Sequence, residues 1–168
     1  MRATFRPTVL TLAVLFASAA WSPSGAQAPP AACSLMTKAE MEEFTGHQYT
    51  DPDQTPVTGG AGSVCTYDGG EAQIVVFSGP KSRELWDNYV KIWGHENDER
   101  HPVPEAGDGA YITYPKPRDK YEDTIGLIVV NTGPHTLGIS LAAKEGQSAE
   151  SVRPKLVSLT KTVVAKVR

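Results

Sequence analysis

The sequence lacks an apolar run long enough to cross a membrane. The run near its start, residues 9–16, follows Arg2 and Arg6 and leads into small residues. A membrane-spanning helix needs about 20 apolar residues, whereas a basic start, a short apolar run and small residues are typical of a secretion signal. We therefore expect residues 1–28 to be a signal peptide and residues 29–168 to form a single domain. An uncleaved anchor is the alternative.

Cysteine is scarce, since Cys33 and Cys65 are the only two in the chain. Oxidising compartments form and keep disulfides, so we expect these two cysteines of an exported protein to be bonded to each other. Acylation of Cys33 in a lipoprotein is the alternative. It is disfavoured because Pro30-Ala31-Ala32 precedes Cys33, where a lipidation signal has a leucine-like residue three positions upstream. The expected location is secreted or periplasmic, without lipid anchoring and without a stable membrane span after signal cleavage.

Positive charge is in short supply. The formal net charge is −3, and removal of residues 1–28 would delete two arginines and no acidic residue. A nucleic-acid-binding domain is expected to have a basic face, and electrostatic attachment to anionic lipid needs clustered basic residues. The charge therefore argues against a nucleic-acid partner and against this kind of membrane binding.

Motifs that specify a reaction or a cofactor are missing. No Gly-x-Ser-x-Gly sequence marks a nucleophile, and the glycine-rich residues 59–62 are not followed by the lysine and serine of a phosphate-binding loop. Residues 51–55, which include Asp51 and Asp53, precede Pro56 and Gly62, where an EF-hand has glycine and glutamate. We therefore predict no catalytic residue and no cofactor, and we expect a non-catalytic domain.

A metal site is suggested by His95, Glu96 and His101. The two histidines are six residues apart, whereas a zinc-protease helix places them four apart on one face. Gly94 also ends the preceding helix, so a solvated polar loop is the preferred interpretation. A metal-dependent hydrolase using these three residues is the alternative function from another class, and a purely structural envelope component is a third.

Local signals predict the element order α-β-β-α-β-β-β-α. Thr37 and Glu40 form a capping box at the start of a helix over about 38–45, which Gly46 ends. Hairpin-like connections predominate, so we predict an α+β fold with an antiparallel sheet of about five strands and helices packed on it. Residues 47–64 are predicted as a loop. The remaining predicted elements are strands at 65–67, 73–77, 110–114, 124–130 and 136–141, and helices after Pro80 and over about 152–167.

Five aromatic residues are candidates for contacting a ligand or partner. Trp86, Tyr89 and Trp93 recur at helical spacing, which favours core packing over the lining of a pocket. Tyr111 and Tyr114 precede a proline-containing loop, where they could form an exposed contact patch, because tyrosine is enriched at interfaces.

Four segments together resemble a broad group of bacterial exported proteins and envelope lipoproteins of unknown function. They are the pattern C-S-L-[LM]-T-x-x-E at residues 33–40, C-T-Y at 65–67, the turn at 103–111 and the closing amphipathic helix. The resemblance implies a single envelope domain with its two cysteines paired, and it carries no catalytic residue. The expected function is to bind a small molecule or an envelope protein partner.

Overall fold

The computed structural model of the 168-residue chain describes residues 30–57, 61–68, 71–115 and 125–167. The predicted signal peptide, residues 1–28, lies outside these ranges. No helix within them combines the length and apolar character that crossing a membrane requires.

Along the described residues, two helices precede three strands, and a third helix separates these from four further strands and a last helix. The helices are α1 (Ala32–Leu35), α2 (Lys38–Thr45), α3 (Ser82–Ile92) and α4 (Arg153–Val167). The strands are β1 (Asp53–Pro56), β2 (Gly62–Tyr67), β3 (Ala72–Ser78), β4 (His101–Pro102), β5 (Tyr111–Thr113), β6 (Ile125–Thr132) and β7 (His135–Ala142).

The seven strands form one antiparallel sheet in the order β1-β2-β3-β7-β6-β5-β4. Two meanders, β1 to β3 and β4 to β7, join where β3 pairs with β7, and Ile74 lies opposite Ile139 at that junction. The α+β class and the antiparallel sheet are therefore confirmed. The predicted count of about five strands and the predicted element order are wrong.

The additional strands lie at the two edges of the sheet. All four residues of β1 are exposed, and β4 consists of two residues. Each of these two edge strands ends in a proline, Pro56 in β1 and Pro102 in β4. Alternation of apolar and polar residues is the signal of a half-buried strand, and these edges have no apolar side to bury. β1 therefore fell inside the segment predicted as a loop.

Helix α2 begins and ends as its sequence predicts. The Thr37 hydroxyl accepts a hydrogen bond from the Glu40 N–H at 3.3 Å, and the Thr37 N–H donates to Glu40 Oε2 at 2.8 Å. Gly46 closes the helix at φ +74°, a conformation that glycine adopts without steric penalty. Lys166, near the end of α4, donates to Glu40 Oε1 at 2.6 Å and so ties the two helices together.

One face of the sheet, the disulfide face, is covered by α1, α2 and α4. Cross-strand pairing places Cys65, Ile74, Ile139, Ile128 and Ile112 in a buried row on this face. The predicted disulfide between Cys33 and Cys65 is present and joins α1 to β2.

The opposite face, the α3 face, is covered by α3 among the described helices. Val75, Phe77 and Val129 pack there against Trp86 and Val90. Gly138 lies directly beneath the indole, since a Cβ on it would lie 2.2 Å from the Trp86 ring. The absence of a side chain at this strand position therefore makes the space that Trp86 fills.

Candidate functional site

Trp86 is a core residue of the α3 face. Its side chain is 2% exposed, and its indole Nε1 donates a hydrogen bond to the Tyr111 hydroxyl at 3.3 Å. A buried indole usually finds a partner for its N–H in this way. Trp86 therefore anchors α3 to the sheet and presents no surface to a ligand.

The exposed end of α3, which we name the α3 tip, consists of Tyr89, Ile92 and Trp93. Tyr89 is half-buried, with its ring centroid 5.8 Å from that of Trp86 and 6.1 Å from that of Trp93. Ile92 is 77% exposed and Trp93 is 50% exposed. An aromatic row thus runs from the core to the surface. Ile92 was not a sequence candidate, because it lies outside the apolar stripe of α3.

The loop after the α3 tip is acidic. The His95 N–H donates a hydrogen bond to the Val90 carbonyl at 3.1 Å, which holds the start of the loop at residues 95–100 against the end of α3. This loop contains Glu96, Asp98 and Glu99. Arg100, the one arginine of this loop, places its guanidinium 4.7 Å from the centre of the Tyr111 ring, a cation–π arrangement. The loop that follows the tip in the chain therefore carries more acidic than basic residues.

The two histidines of the sequence-predicted metal site each lie near a carboxylate of the loop at residues 95–100. His95 Nδ1 lies 3.2 Å from Asp98 Oδ2, and His101 Nδ1 lies 3.9 Å from Glu99 Oε1. Asp98 Oδ2 is buried and accepts no hydrogen bond from the described residues, and its contact with His95 is an ion pair only when that imidazole is protonated. In the described part of the chain, the ligand atoms of His95, Glu96 and His101 do not come within 4.8 Å of one another as a group.

The two candidate tyrosines, Tyr111 in β5 and Tyr114 just after it, lie on different faces of the sheet. Tyr111 packs with the α3 cluster, whereas Tyr114 packs against the core of the disulfide face and has its ring 5.9 Å from that of His101. The structure therefore brings together Trp86, Tyr89 and Tyr111 with Trp93 beside them, and it places Tyr114 apart.

A buried histidine pairs with a serine at the end of the sheet. Ser78 Oγ and His135 Nδ1 are 2.7 Å apart, and burial lowers the pKa of His135. Within the described ranges no carboxylate oxygen lies within 4.0 Å of the His135 ring nitrogens. The pair therefore lacks the acidic member of a catalytic triad there.

A cleft of about 600 Å³ opens where the end of α2 and the start of α4 approach the sheet. We name it the α2–α4 cleft. It is lined among others by His47, Tyr49, Glu71, Lys144 and Lys155. The Lys155 ammonium donates to the carbonyl of Thr45 at 2.9 Å, which joins the two helices across the cleft. Four separate chain segments contribute to it, so no single stretch of sequence signals its presence.

Comparisons of the chain with protein families, with curated proteins and with solved structures found no match.

Proposed function

We propose that this protein is a secreted or periplasmic, non-catalytic domain that binds an envelope protein through the α3 tip. The observation that carries the proposal is the exposure of Ile92 and Trp93. They are the two large apolar side chains that stand exposed on the described surface, and they are adjacent in the chain. Contiguous exposed apolar surface marks interaction sites, and tryptophan and tyrosine are enriched at binding hot spots.

The shape and charge of the tip favour a protein partner. Small-molecule sites are concave and enclose most of their ligand, whereas side chains that are 77% and 50% exposed project outward. Anionic lipid is disfavoured because the loop that follows the tip carries three acidic residues, Glu96, Asp98 and Glu99, and one arginine. The partner that fits is a protein with an apolar groove and basic residues at its rim.

The exported location is supported by three observations. A disulfide joins Cys33 to Cys65, and such bonds persist mainly in oxidising compartments. The sequence also begins with the features of a secretion signal, and its motifs resemble those of exported envelope proteins.

The proposal is tested by capture from the envelope fraction with three forms of the exported protein. They are the wild type, the tip variant Ile92→Ser/Trp93→Ser and the control variant Arg83→Ser/Glu84→Ser. The control alters two exposed residues at the other end of the same helix and conserves net charge. We expect an envelope protein that the wild type and the control retain equally and that the tip variant loses.

The captured protein is then purified and its affinity for each form is measured. Loss of two hot-spot side chains should weaken binding by about tenfold or more. Equal affinity for wild type and tip variant would contradict the proposal. Dimerisation of the wild type through the tip, or tip-dependent binding to vesicles, would identify a different occupant and overturn the choice of partner.

A further inference from the structure

A cluster of three side chains that carry metal-ligand atoms lies at the mouth of the α2–α4 cleft. The ligand atoms of His47, Asp68 and Glu71 all lie within 4.8 Å of one another. His47 Nε2 and Glu71 Oε2 are 3.1 Å apart, and both side chains are about half exposed. Two of the three residues also line the cleft.

The end of α2 and the ring of Tyr49 together position His47. It follows Gly46, the residue that ends α2, and its ring centroid lies 5.1 Å from that of Tyr49. Tyr49 is buried, donates its N–H to Glu42 Oε1 at 2.9 Å and packs edge-on against Tyr67. The imidazole is therefore supported by an aromatic pair that belongs to the core.

The two carboxylates come from the connection between β2 and β3. Asp68 directly follows β2, and its Oδ1 accepts hydrogen bonds from the Thr50 N–H at 2.8 Å and the Thr50 hydroxyl at 2.5 Å. These two bonds fix the position of the Asp68 carboxylate beside Thr50. Glu71 directly precedes β3. Segments that are distant in the sequence thus bring one imidazole and two carboxylates together.

We propose that His47, Asp68 and Glu71 bind a divalent transition-metal ion of the Zn²⁺ class. One imidazole nitrogen with two carboxylate oxygens suits such ions, whereas Ca²⁺ prefers six to eight oxygen ligands. Ligand atoms about 2.1 Å from a tetrahedral metal are about 3.4 Å apart, close to the separation of His47 Nε2 and Glu71 Oε2. The ligand atoms of the three residues lie within 4.8 Å of one another, and rotation of the half-exposed His47 and Glu71 side chains would bring them within bonding distance of one ion beside Asp68.

Such a site would be open on one side. Three protein ligands leave coordination positions for water or a ligand atom, and the neighbouring cleft of about 600 Å³ provides the space. The cluster lies beside the cleft between α2 and α4, two of the helices that cover the disulfide face, whereas the α3 tip lies on the opposite face of the sheet. The metal proposal therefore stands independently of partner binding through the tip.

The test is calorimetric titration of the chelator-treated, untagged protein with Zn²⁺, together with native mass spectrometry. We expect one Zn²⁺ per chain, and we expect His47→Ala and Glu71→Gln each to weaken binding by more than about tenfold. Asp68→Asn should do the same, and it suits the backbone because asparagine tolerates the φ of +38° found at this position. Circular dichroism confirms that each variant is folded.

The matched control is His95→Ala, which removes a histidine that the sequence suggested as a ligand. It should leave Zn²⁺ affinity unchanged, as should the tip variant Ile92→Ser/Trp93→Ser. Failure to take up one Zn²⁺ per chain would overturn the proposal. Loss of binding in His95→Ala rather than His47→Ala would place the metal elsewhere, and Ca²⁺ binding as tight as Zn²⁺ binding would contradict the assigned class.

Discussion

The two faces of the sheet are stabilised in different ways. On the disulfide face, three helices and the bond between Cys33 and Cys65 cover a continuous row of buried side chains. On the α3 face, one helix is held by a small cluster around Trp86 and ends in the exposed Ile92 and Trp93. The first face is a closed core, and the second combines a compact anchor with an apolar surface.

This difference separates stability from the proposed recognition within α3. Trp86 and Val90 point into the cluster, whereas Ile92 and Trp93, only a few residues later, point outward. Residues on successive positions of a helix face different directions, so a single turn can serve both purposes. Changes at the tip should therefore alter binding without unfolding the protein.

The largest expected effect comes from removing the anchor of the α3 face. Trp86→Ala leaves a cavity above Gly138, and truncation of a buried tryptophan lowers the free energy of unfolding by about 3–5 kcal/mol. Trp93→Ala is the control, because its side chain is half exposed and should lower the free energy of unfolding by less than about 1 kcal/mol. Denaturant unfolding followed by far-UV circular dichroism measures both. Equal losses would show that Trp86 is not the anchor.

A somewhat smaller effect is expected from the disulfide face. Cys33 and Cys65 are separated by 32 residues, and opening a loop of that length lowers the free energy of unfolding by about 3–4 kcal/mol in the chain-entropy model. The double variant Cys33→Ser/Cys65→Ser should unfold at lower denaturant than the oxidised wild type and should match the reduced wild type. A loss below about 1 kcal/mol would mean that packing alone holds α1 on β2.

The smallest effect concerns the tie between α2 and α4. Hydrogen bonds, above all from Lys166, lower the pKa of Glu40 from 4.5 to about 2. The charged carboxylate therefore stabilises the fold above pH 4.5, and this contribution is lost as the pH falls from 4.5 toward 2. An exposed ion pair contributes at most about 1 kcal/mol.

Unfolding of wild type and Glu40→Gln across this pH range provides the measurement. The two free energies of unfolding should differ above pH 4.5 and converge toward pH 2, while Glu43→Gln, an exposed acid on the same helix, should follow the wild type. A difference between wild type and Glu40→Gln that does not depend on pH would assign the effect to the capping geometry rather than to charge.

The sequence predicted those elements whose signals are local. The capping box of Thr37 and Glu40, the apolar spacing of α3 and the β-rich runs of the central strands each depend on neighbouring residues, and the structure contains all of these elements. The edge strands β1 and β4 were missed because an exposed strand has no apolar alternation. Their pairing depends on backbone hydrogen bonds, which every residue type except proline can both donate and accept.

The candidate site was only partly foreseen. Helical spacing identified Tyr89 and Trp93, but it could not show that Ile92 would be the most exposed apolar side chain of α3. The cluster of His47, Asp68 and Glu71 was missed, because its members come from the end of α2 and from the connection between β2 and β3. The hydrogen bonds that hold Asp68 beside this part of the chain come from Thr50, 18 residues away, so no pattern of neighbouring residues signals the cluster.

The proline-ended edges of the sheet bear on how the protein behaves when it is crowded. Exposed strand edges are templates for adding strands from other molecules, and short edges with proline are a common protection against such aggregation. β1 has four residues and ends at Pro56, and β4 has two and ends at Pro102. An apolar tip can therefore remain exposed for the proposed recognition, while the short, proline-ended edges hinder strands of other molecules from pairing with the sheet.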